Sequence, residues 1–464
     1  MRSAAYLLLI VYVVIGLITI RLCDGTGDVG DSVMHYLYAR SAMQHPELYF
    51  DHWAKPLFVL LASVFTPFGF PGIKLFNLIN TVLALYFTWK IALRLNLPRP
   101  SLAMLFAACA PLYFAHTFSG LTEPMFAMIL AWAWFLALSK RVLASCILVS
   151  FLPYVRSEGL IMAGVLGLYL MLTANWRYLP LLLTGSVVYG FAGYFVYGTV
   201  FWVFTGIPYA TISSVYGSGQ LLHFVDQLYY VLGLPFTILF WLGFLVLLLH
   251  AIQKRNKVEE NILILLGFAA FFVAHSLFWY LGIFNSMGLK RVLLCIMPIM
   301  ALVALYGFNA LYGLLGRTVP GAGKWIGRVL VVYCLVFPFT PNPSALNIQR
   351  DLMLTMEQKL AIDVGNHLSK KQKSEALFIY DHLYFSEVLG LDHFDLNRHR
   401  AIDSAELSQA PPGSILIWEN LYAEKKSGLT REALDKRKDL RLLYTCKGPV
   451  QDFEMCYALY EKRP

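Results

Sequence analysis

Long apolar runs dominate the first 340 residues of this chain and leave them few ways to fold in water. This part holds 20 Lys and Arg and 10 Asp and Glu residues, whereas residues 341–464 hold 17 and 18. A helix over the uncharged run 4–20 is about 26 Å long, enough to cross a bilayer. No small-residue cleavage site follows, so we expect a retained anchor. The first part is therefore predicted to span a membrane, and the second has the composition of a soluble domain.

Eleven apolar runs qualify as membrane-spanning helices. They lie at about 4–20, 72–93, 101–118, 124–139, 142–155, 159–173, 178–197, 229–252, 261–284, 292–315 and 325–340. Two of them, 142–155 and 159–173, are short for a span, and only their pairing keeps the topology consistent. Residues 56–70 are expected to be re-entrant or interfacial, because Pro67, Gly69 and Pro71 interrupt the pattern. The fold is predicted to be mainly α, a polytopic membrane protein of about eleven transmembrane helices.

The charges in the loops predict how the chain is oriented. With the N-terminus in the cytoplasm, the inner loops carry 13 of the 20 basic residues and two acidic ones, Glu259 and Glu260. This bias is the one that the positive-inside rule describes. An odd number of helices then places residues 341–464 outside the cytoplasm, and an inner or plasma membrane of a bacterium is the expected location. The net charge of +9 comes from the membrane part, and without a recognition motif it does not indicate nucleic-acid binding.

Residues 341–464 are predicted to form a small extracytoplasmic α/β domain, beside a transmembrane domain of residues 1–340. Apolar spacing indicates a helix over 351–368, and strand-like runs follow at 376–380, 414–418, 440–445 and 455–460. Cys446 and Cys456 lie in neighbouring strand candidates that a hairpin over 447–455 would bring together. An oxidising compartment favours a disulfide between them, and two unpaired thiols are the alternative.

The loop after the first apolar run contains three aspartates, Asp24, Asp28 and Asp31. Asp24 fits a solvated acidic loop. A helical pattern follows Asp31, so this residue is either a helix cap or a reactive carboxylate. His35 lies one turn later on the same face of that helix. Val33, Tyr36 and Leu37 are expected to lie on the membrane.

Four further segments place polar residues next to the bilayer. They contribute His52 and Lys55 before Pro56, Glu123 at a helix start, Arg156 and Glu158 between two short helices, and the pair Lys290 and Arg291. Each has a structural explanation: Glu123 suits a helix start, and Arg156 and Glu158 can form a local ion pair. Adjacent basic residues at an outer position run against the positive-inside bias, and an anionic headgroup or phosphate would explain them.

Taken together, these segments resemble the GT-C superfamily of membrane glycosyltransferases, which includes protein O-mannosyltransferases and aminoarabinose transferases. The resembling segments are GDSVMHY (30–36), HWAKPLF (52–58), TEP (122–124), RSEG (156–159) and KRVLLCIMP (290–298). The resemblance covers about residues 1–340. RSEG departs from an RPEG-like form, and Ser32 stands where the family commonly has the second acid of an Asp-Glu pair.

The resemblance implies inverting transfer of a hexosyl or pentosyl group from a polyprenyl-phosphate donor to a lipid, protein or glycan acceptor on the outer face. Asp31 would be the general base, with Asp28 and Glu123 as the other catalytic candidates, and Arg291, Lys290 and Lys55 would bind the donor phosphate. His35, His52, Arg156 and Glu158 would support the site or the acceptor. No cofactor is expected, although Asp28, Asp31 and Glu123 offer oxygen ligands for a divalent metal.

Two other classes of protein remain open at this stage. One is a transporter or lipid flippase, in which the same charges would line a pathway near the bilayer midplane. The other is a lipid-linked polymer ligase or polymerase with similar chemistry and a different donor. The acidic residues gather at one outer surface, which favours an enzyme.

Overall fold

A computed structural model describes residues 2–208, 216–318, 323–450 and 453–464. The chain divides into two compact units that interleave along the sequence. The first unit is residues 1–23 and 47–347, and the second is residues 24–46 and 348–464. The predicted boundary near residue 340 is close to one of these transitions, but segment 24–46 groups with the C-terminal residues.

The described part of the first unit is helical. Its α-helices are Arg2–Leu22, Pro56–Ala62, Phe70–Arg94, Ser101–Ala108, Pro111–His116, Glu123–Leu138, Val142–Ser150, Gly159–Leu172, Thr184–Tyr197, Trp202–Thr205, His223–Leu232, Leu234–Ile252, Gly267–Leu281, Met297–Thr318 and Gly323–Val336. A π-helical stretch, Glu260–Leu266, precedes Gly267. Short 3₁₀ segments are Pro46–Phe50, Thr66–Phe68, Leu152–Tyr154, Trp176–Leu183, Lys290–Ile296 and Phe337–Phe339.

Six helices among the described residues are long and apolar enough to cross a membrane. They are Ser3–Leu22, Phe70–Arg94, Trp176–Tyr197, Leu234–Ile252, Glu260–Leu281 and Lys290–Thr318. Shorter apolar helices cover Glu123–Leu138, Val142–Tyr154, Gly159–Leu172 and Trp325–Phe339. The chain is thus an integral membrane protein by the length and apolarity of its helices, while the number eleven stays a prediction.

Two of the predicted runs are interrupted in the structure. The run 101–118 is divided between Ser101–Ala108 and Pro111–His116, because Pro111 cannot donate a helical hydrogen bond and starts a new helix instead. The run 229–252 is divided at Gly233, whose φ of 75° ends one helix before Leu234–Ile252 begins. The segment 56–70 contains the short helix Pro56–Ala62 and a 3₁₀ turn before the helix Phe70–Arg94 begins, in agreement with the interruption predicted there.

Close helix packing at the centre of the first unit depends on two glycines. A Cβ on Gly243 would lie 1.8 Å from the Val303 carbonyl oxygen, and one on Gly307 would lie 2.0 Å from the Leu239 oxygen. Helices Leu234–Ile252 and Met297–Thr318 therefore approach backbone to backbone, as small residues allow in membrane helix pairs. The residues at 297–305 are all buried, so this helix forms part of the core.

The second unit contains a five-stranded mixed sheet, which confirms the predicted α/β character. Its strands are β1 (Phe378–Ile379), β2 (His399–Arg400), β3 (Ile415–Glu419), β4 (Leu440–Val450) and β5 (Phe453–Lys462), in the order β2-β1-β3-β5-β4. β1 pairs in parallel with β2 and β3, and β5 runs antiparallel to β3 and β4. Helices accompany the sheet at Ile348–Asp351, Met356–Asn366, Lys370–Glu375, Tyr384–Val388, Ser404–Gln409, Ala423–Ser427 and Arg431–Asp435.

The predicted disulfide between Cys446 and Cys456 is not formed, so that prediction is wrong. The two strands do pair as predicted, although Gln451 and Asp452 of the hairpin lie outside the described residues. Cys446 is opposite Tyr457, and Cys456 is opposite Lys447. Directly opposed residues share a face of the sheet and successive residues alternate, so the two sulfur atoms lie on opposite faces. Both cysteines are free.

Segment 24–46 contributes the helix Asp31–Ser41 to the second unit. Its apolar residues Val33, Tyr36 and Leu37 were expected to lie on the membrane, but they are 1%, 1% and 0% exposed. They are buried in protein, so that expectation is wrong. Further along the helix, Arg40 is 2.6 Å from Glu387 through Nη1 and Oε2.

Candidate active site

Glu123 and Arg156 form the centre of a buried polar cluster in the first unit. Arg156 Nη1 donates to Glu123 Oε1 at 2.9 Å and to Thr122 Oγ1 at 3.2 Å. Arg156 Nη2 donates to Glu158 Oε1 at 2.9 Å. The local Arg156–Glu158 ion pair predicted as the structural alternative therefore exists, but the same guanidinium also holds the fully buried carboxylate of Glu123.

The local sequence explains how these side chains are placed. Glu123 begins the helix Glu123–Leu138 with Pro124 beside it, a combination typical of a helix N-terminus. Arg156 and Glu158 lie in the turn before the helix Gly159–Leu172. A Cβ on Gly159 would lie 2.4 Å from the carbonyl carbon of Leu152, so only glycine permits this tight turn.

Arg291 extends the cluster from a different part of the chain. It lies in the 3₁₀ segment Lys290–Ile296, and its Nε is 3.7 Å from Glu123 Oε1. Glu123 therefore lies between two guanidinium groups. Because a buried carboxylate is stable only when it is paired, these two arginines explain how Glu123 remains in this position.

Lys55 reaches the same cluster from the segment before helix Pro56–Ala62. Its Nζ donates to Ser157 Oγ at 3.3 Å, and the residue is 9% exposed. Its φ of 71° is unusual for a residue with a side chain, and such strain is concentrated at functional sites. Burial lowers the pKa of Lys55 to about 8, against a smaller upward effect of the Glu158 carboxylate. The ammonium group is therefore only moderately favoured at neutral pH.

His275 belongs to the cluster and was missed by the sequence reasoning. It lies within the apolar helix Gly267–Leu281, with Nε2 3.7 Å from Glu158 Oε1. A single histidine in an apolar run is most simply interpreted as a core residue. The available signal was its ionisable side chain inside a membrane segment, where such residues are rare and functional.

The cluster holds three cationic side chains and two carboxylates. Lys55, Arg156 and Arg291 carry positive charge, and Glu123 and Glu158 carry negative charge. Burial raises the pKa of Glu158, but Arg156 and His275 lower it more, to about 2. Glu123 Oε2 has no hydrogen-bond partner among the described residues. The net positive charge and the fork geometry of arginine suit a phosphate or another oxyanion.

Two of the predicted residues in the first unit make other contacts. The ring of His52 meets Trp202 edge to face at 5.0 Å and Tyr154 at 6.5 Å, within an aromatic cluster. Lys290 Nζ lies 5.2 Å from the ring centroid of Tyr230, as a cation–π pair. The structure thus groups Lys55, Glu123, Arg156, Glu158 and Arg291 and leaves these two beside aromatic rings.

The predicted residues Asp28, Asp31 and His35 lie in the second unit. Gly30 occupies the N-cap position and Asp31 is the first residue of the helix Asp31–Ser41. Asp28 Oδ1 accepts hydrogen bonds from the backbone of Gly30 at 2.9 Å and of Ser32 at 3.0 Å. Capping is therefore carried out by Asp28, and the interpretation of Asp31 as the cap is wrong. His35 is buried on this helix.

Among the described residues, no group of three His, Cys, Asp or Glu side chains is arranged to hold a metal ion. Asp28 and Asp31 belong to the second unit and Glu123 to the first. Metal dependence therefore stays a prediction.

Comparison with solved structures identifies the fold. The aminoarabinose transferase ArnT from Cupriavidus metallidurans, bound to undecaprenyl phosphate, matches with a TM-score of 0.65 at 12% identity, over 99% of this chain and 98% of that one. Its apo form matches at 0.65 and 11% identity, with the same coverage. The Archaeoglobus fulgidus oligosaccharyltransferase with a tethered acceptor peptide gives 0.46 and 11%, over 82% of this chain and 63% of that one.

Sequence comparisons add nothing to this result: no family model and no curated protein matches the chain. At such low identity the likeness to ArnT establishes the fold alone. The fold expected from the resemblance of the sequence motifs is confirmed by this likeness.

Proposed function

We propose that this chain is an inverting glycosyltransferase that uses a polyprenyl-phosphate sugar. The observation that supports this most directly is the cluster around Glu123, in which Arg156, Arg291 and Lys55 converge from separate segments. Cations that only made a surface soluble would not need to be withdrawn from water. A site that binds an anionic leaving group at a membrane protein does need cations in such a position.

The proposed reaction needs an anion site and a base. The acceptor hydroxyl oxygen attacks the anomeric carbon while the bond from that carbon to the phosphate oxygen breaks. The electron pair of that bond leaves with polyprenyl phosphate, and the hydroxyl proton goes to a carboxylate. Cationic side chains stabilise the negative charge that develops on the phosphate oxygen, and the carboxylate raises the nucleophilicity of a weak nucleophile.

We assign phosphate binding to Arg291 and Lys55, with Lys290 at the next position. Glu123 and Arg156 orient this set, since the Glu123 carboxylate is paired with both arginines. This role for Glu123 differs from the catalytic role that the resemblance implied for it. The undecaprenyl phosphate bound to the ArnT of the same fold supports a polyprenyl phosphate as the carrier here.

We assign the base to Asp31, with Asp28 as the alternative. Asp28 already accepts two backbone N–H groups through Oδ1, and these hydrogen bonds hold its carboxylate at the start of the helix. Asp31 is the first residue of the helix Asp31–Ser41 in the same segment, and Gly30 occupies the N-cap position. The acceptor is a hydroxyl of a lipid, a protein or a glycan on the outer face of the membrane.

Donor cleavage by the purified protein tests the proposal. The protein in detergent or vesicles is given a panel of polyprenyl-phosphate hexoses and pentoses, and released polyprenyl phosphate is measured. Arg291→Ala should raise the KM for the active donor by about tenfold or more, as expected for loss of a charge-assisted contact. Arg177→Ala removes an exposed arginine stacked on Tyr178 and is the matched control.

The same assay separates the other classes of protein. A transporter or flippase would move the donor across the vesicle membrane without releasing polyprenyl phosphate. A polymer ligase would act only on donors that carry an oligomer. Failure to release polyprenyl phosphate from every monosaccharide donor would overturn the proposal.

A further inference from the structure

Gln358 connects the C-terminal part of the second unit to the loop that carries Asp28 and Asp31. It lies in the helix Met356–Asn366 and is fully buried. Its Nε2 donates to Thr26 Oγ1 at 2.8 Å, and Thr26 Oγ1 donates to the backbone oxygen of Asp28 at 2.7 Å. Two hydrogen bonds therefore separate the Gln358 amide from the Asp28 backbone.

The other end of the Gln358 amide is held as well. Its Oε1 accepts from the backbone N–H of Thr355 at 3.1 Å, and Thr355 Oγ1 accepts from the Gln358 backbone, which completes a capping box. The amide is thus fixed by the start of its own helix. This fixed orientation makes Nε2 a rigid donor for Thr26, because little rotational freedom remains to be lost.

The contacts of Thr26 extend to the start of the Asp31 helix. Ser32 Oγ donates to the Thr26 backbone oxygen, and the Ser32 backbone donates to Asp28 Oδ1 at 3.0 Å. Ser32 is the next residue after Asp31, so Thr26 and Asp28 together determine where the helix begins. Thr26 and Ser32 are almost fully buried, at 3% and 0% exposure, and Asp28 is half-buried.

The backbone supports the same connection. Gly25 N–H donates to the Leu352 oxygen at 2.9 Å, and the Leu354 N–H donates to Asp24 Oδ1 at 3.0 Å. A Cβ on Gly25 would lie only 2.6 Å from the Leu352 carbonyl. The two backbone segments therefore approach more closely than a side chain at position 25 would allow. The Gln358–Thr26 bond joins two side chains, so a substitution can remove it and leave these backbone contacts in place.

We propose that Gln358 is a positioning residue for the reaction: through Thr26 it holds the Asp28–Ser32 turn so that the base stays in its reactive orientation. This inference rests on the proposed function, because it assumes that the base is in this turn. A displacement of about 1 Å at a reacting group is enough to cost on the order of 10²-fold in rate.

Gln358→Glu tests this role with a close control. Glutamate keeps an acceptor oxygen for the capping box and loses the Nε2 donor. Gln372→Glu makes the same change in the second capping box, formed by Ser369 and Gln372 on an exposed helix. We expect kcat of Gln358→Glu to fall by about 10- to 100-fold with the donor KM within about twofold of wild type, and Gln372→Glu to behave as wild type.

Two further measurements separate positioning from a structural role. Amide hydrogen exchange at Gly30 and Ser32 in the full-length protein should accelerate in Gln358→Glu and not in Gln372→Glu. Thr26→Val should lower kcat as Gln358→Glu does, and the double variant should be no worse than either single variant, because both remove one connection.

The outcomes distinguish this inference from the proposed function. Unchanged exchange at Gly30 and Ser32, or an unchanged kcat in Gln358→Glu, overturns the inference even if wild type is an active transferase. Wild type that releases no polyprenyl phosphate overturns the proposed function, whatever the exchange shows. A fall in kcat that Gln372→Glu reproduces would also reject the inference, because helix capping alone would then explain it.

Discussion

Arg156 Nη1 lies 2.9 Å from Oε1 of Glu123, a carboxylate with no exposed surface. The same guanidinium holds the partly exposed Glu158 at 2.9 Å, so one arginine compensates two acids. Removal of Arg156 would leave the fully buried Glu123 carboxylate without the nearer of its two cationic partners. The fold around these two residues therefore depends on their being present together.

Arg156→Met should destabilise the protein strongly. The substitution keeps the length of the side chain and leaves Glu123 and Glu158 without this guanidinium, so we expect a loss of about 3–5 kcal/mol in unfolding free energy. Thermal unfolding in detergent measures it. Lys140→Met breaks an exposed 3.3 Å pair with Glu259 and should change the stability by about 1 kcal/mol or less. Equal melting temperatures for the two variants would contradict the prediction.

Lys55 should make donor binding depend on pH in the alkaline range. Burial lowers its pKa to about 8, so the ammonium is present below this pH and is lost above it. If Lys55 binds the donor phosphate, the donor KM should rise as the pH increases from about 7 to about 9. Lys55→Arg retains its charge over this range and should show a much flatter profile. Parallel profiles for both proteins would remove Lys55 from the phosphate site.

The sequence predicted those parts of the site that have local signals. Glu123 stands at a helix start, and Arg156 and Glu158 share a short turn. Arg291 is a basic residue at a predicted outer position, which runs against the positive-inside bias. These signals led to residues that the structure brings together. Their mutual contacts were not predictable, because the pairing of Arg156 with Glu123 joins a turn to the start of a distant helix and leaves no periodicity.

Other features had no local signal at all. The bond from Gln358 to Thr26 joins residues far apart in the chain, so the grouping of segment 24–46 with the C-terminal domain was not foreseen. Strand β2 has two residues, too few for an alternating pattern. Cys446 and Cys456 were correctly placed on paired strands. A shift of one residue in the pairing register, however, decides which face of the sheet each side chain occupies.

The orientation of the chain is a separate prediction. The excess of basic residues in the loops assigned to the inside places Lys254 in the cytoplasm and Pro464 outside it. Reporter fusions at these two positions should therefore give opposite signals, with the cytoplasmic reporter active only at Lys254. Fusion at Asp226, on the proposed outer side, is the control and should agree with Pro464. Cytoplasmic signals at both Lys254 and Pro464 would contradict the eleven-helix topology.

Asp31→Asn provides the sharpest test of the proposed chemistry. Asparagine has the shape of aspartate but does not accept the proton at neutral pH, so turnover should fall on the order of 10²–10⁴-fold while donor binding is retained. The structure makes this test cleaner than the sequence did, because Asp28 and not Asp31 caps the helix. Asp28→Asn is the matched control: asparagine caps nearly as well, so most of the turnover should remain. Near-normal transfer by Asp31→Asn together with an inactive Asp28→Asn would move the base to Asp28, and normal transfer by both would leave the reaction without a base in this loop.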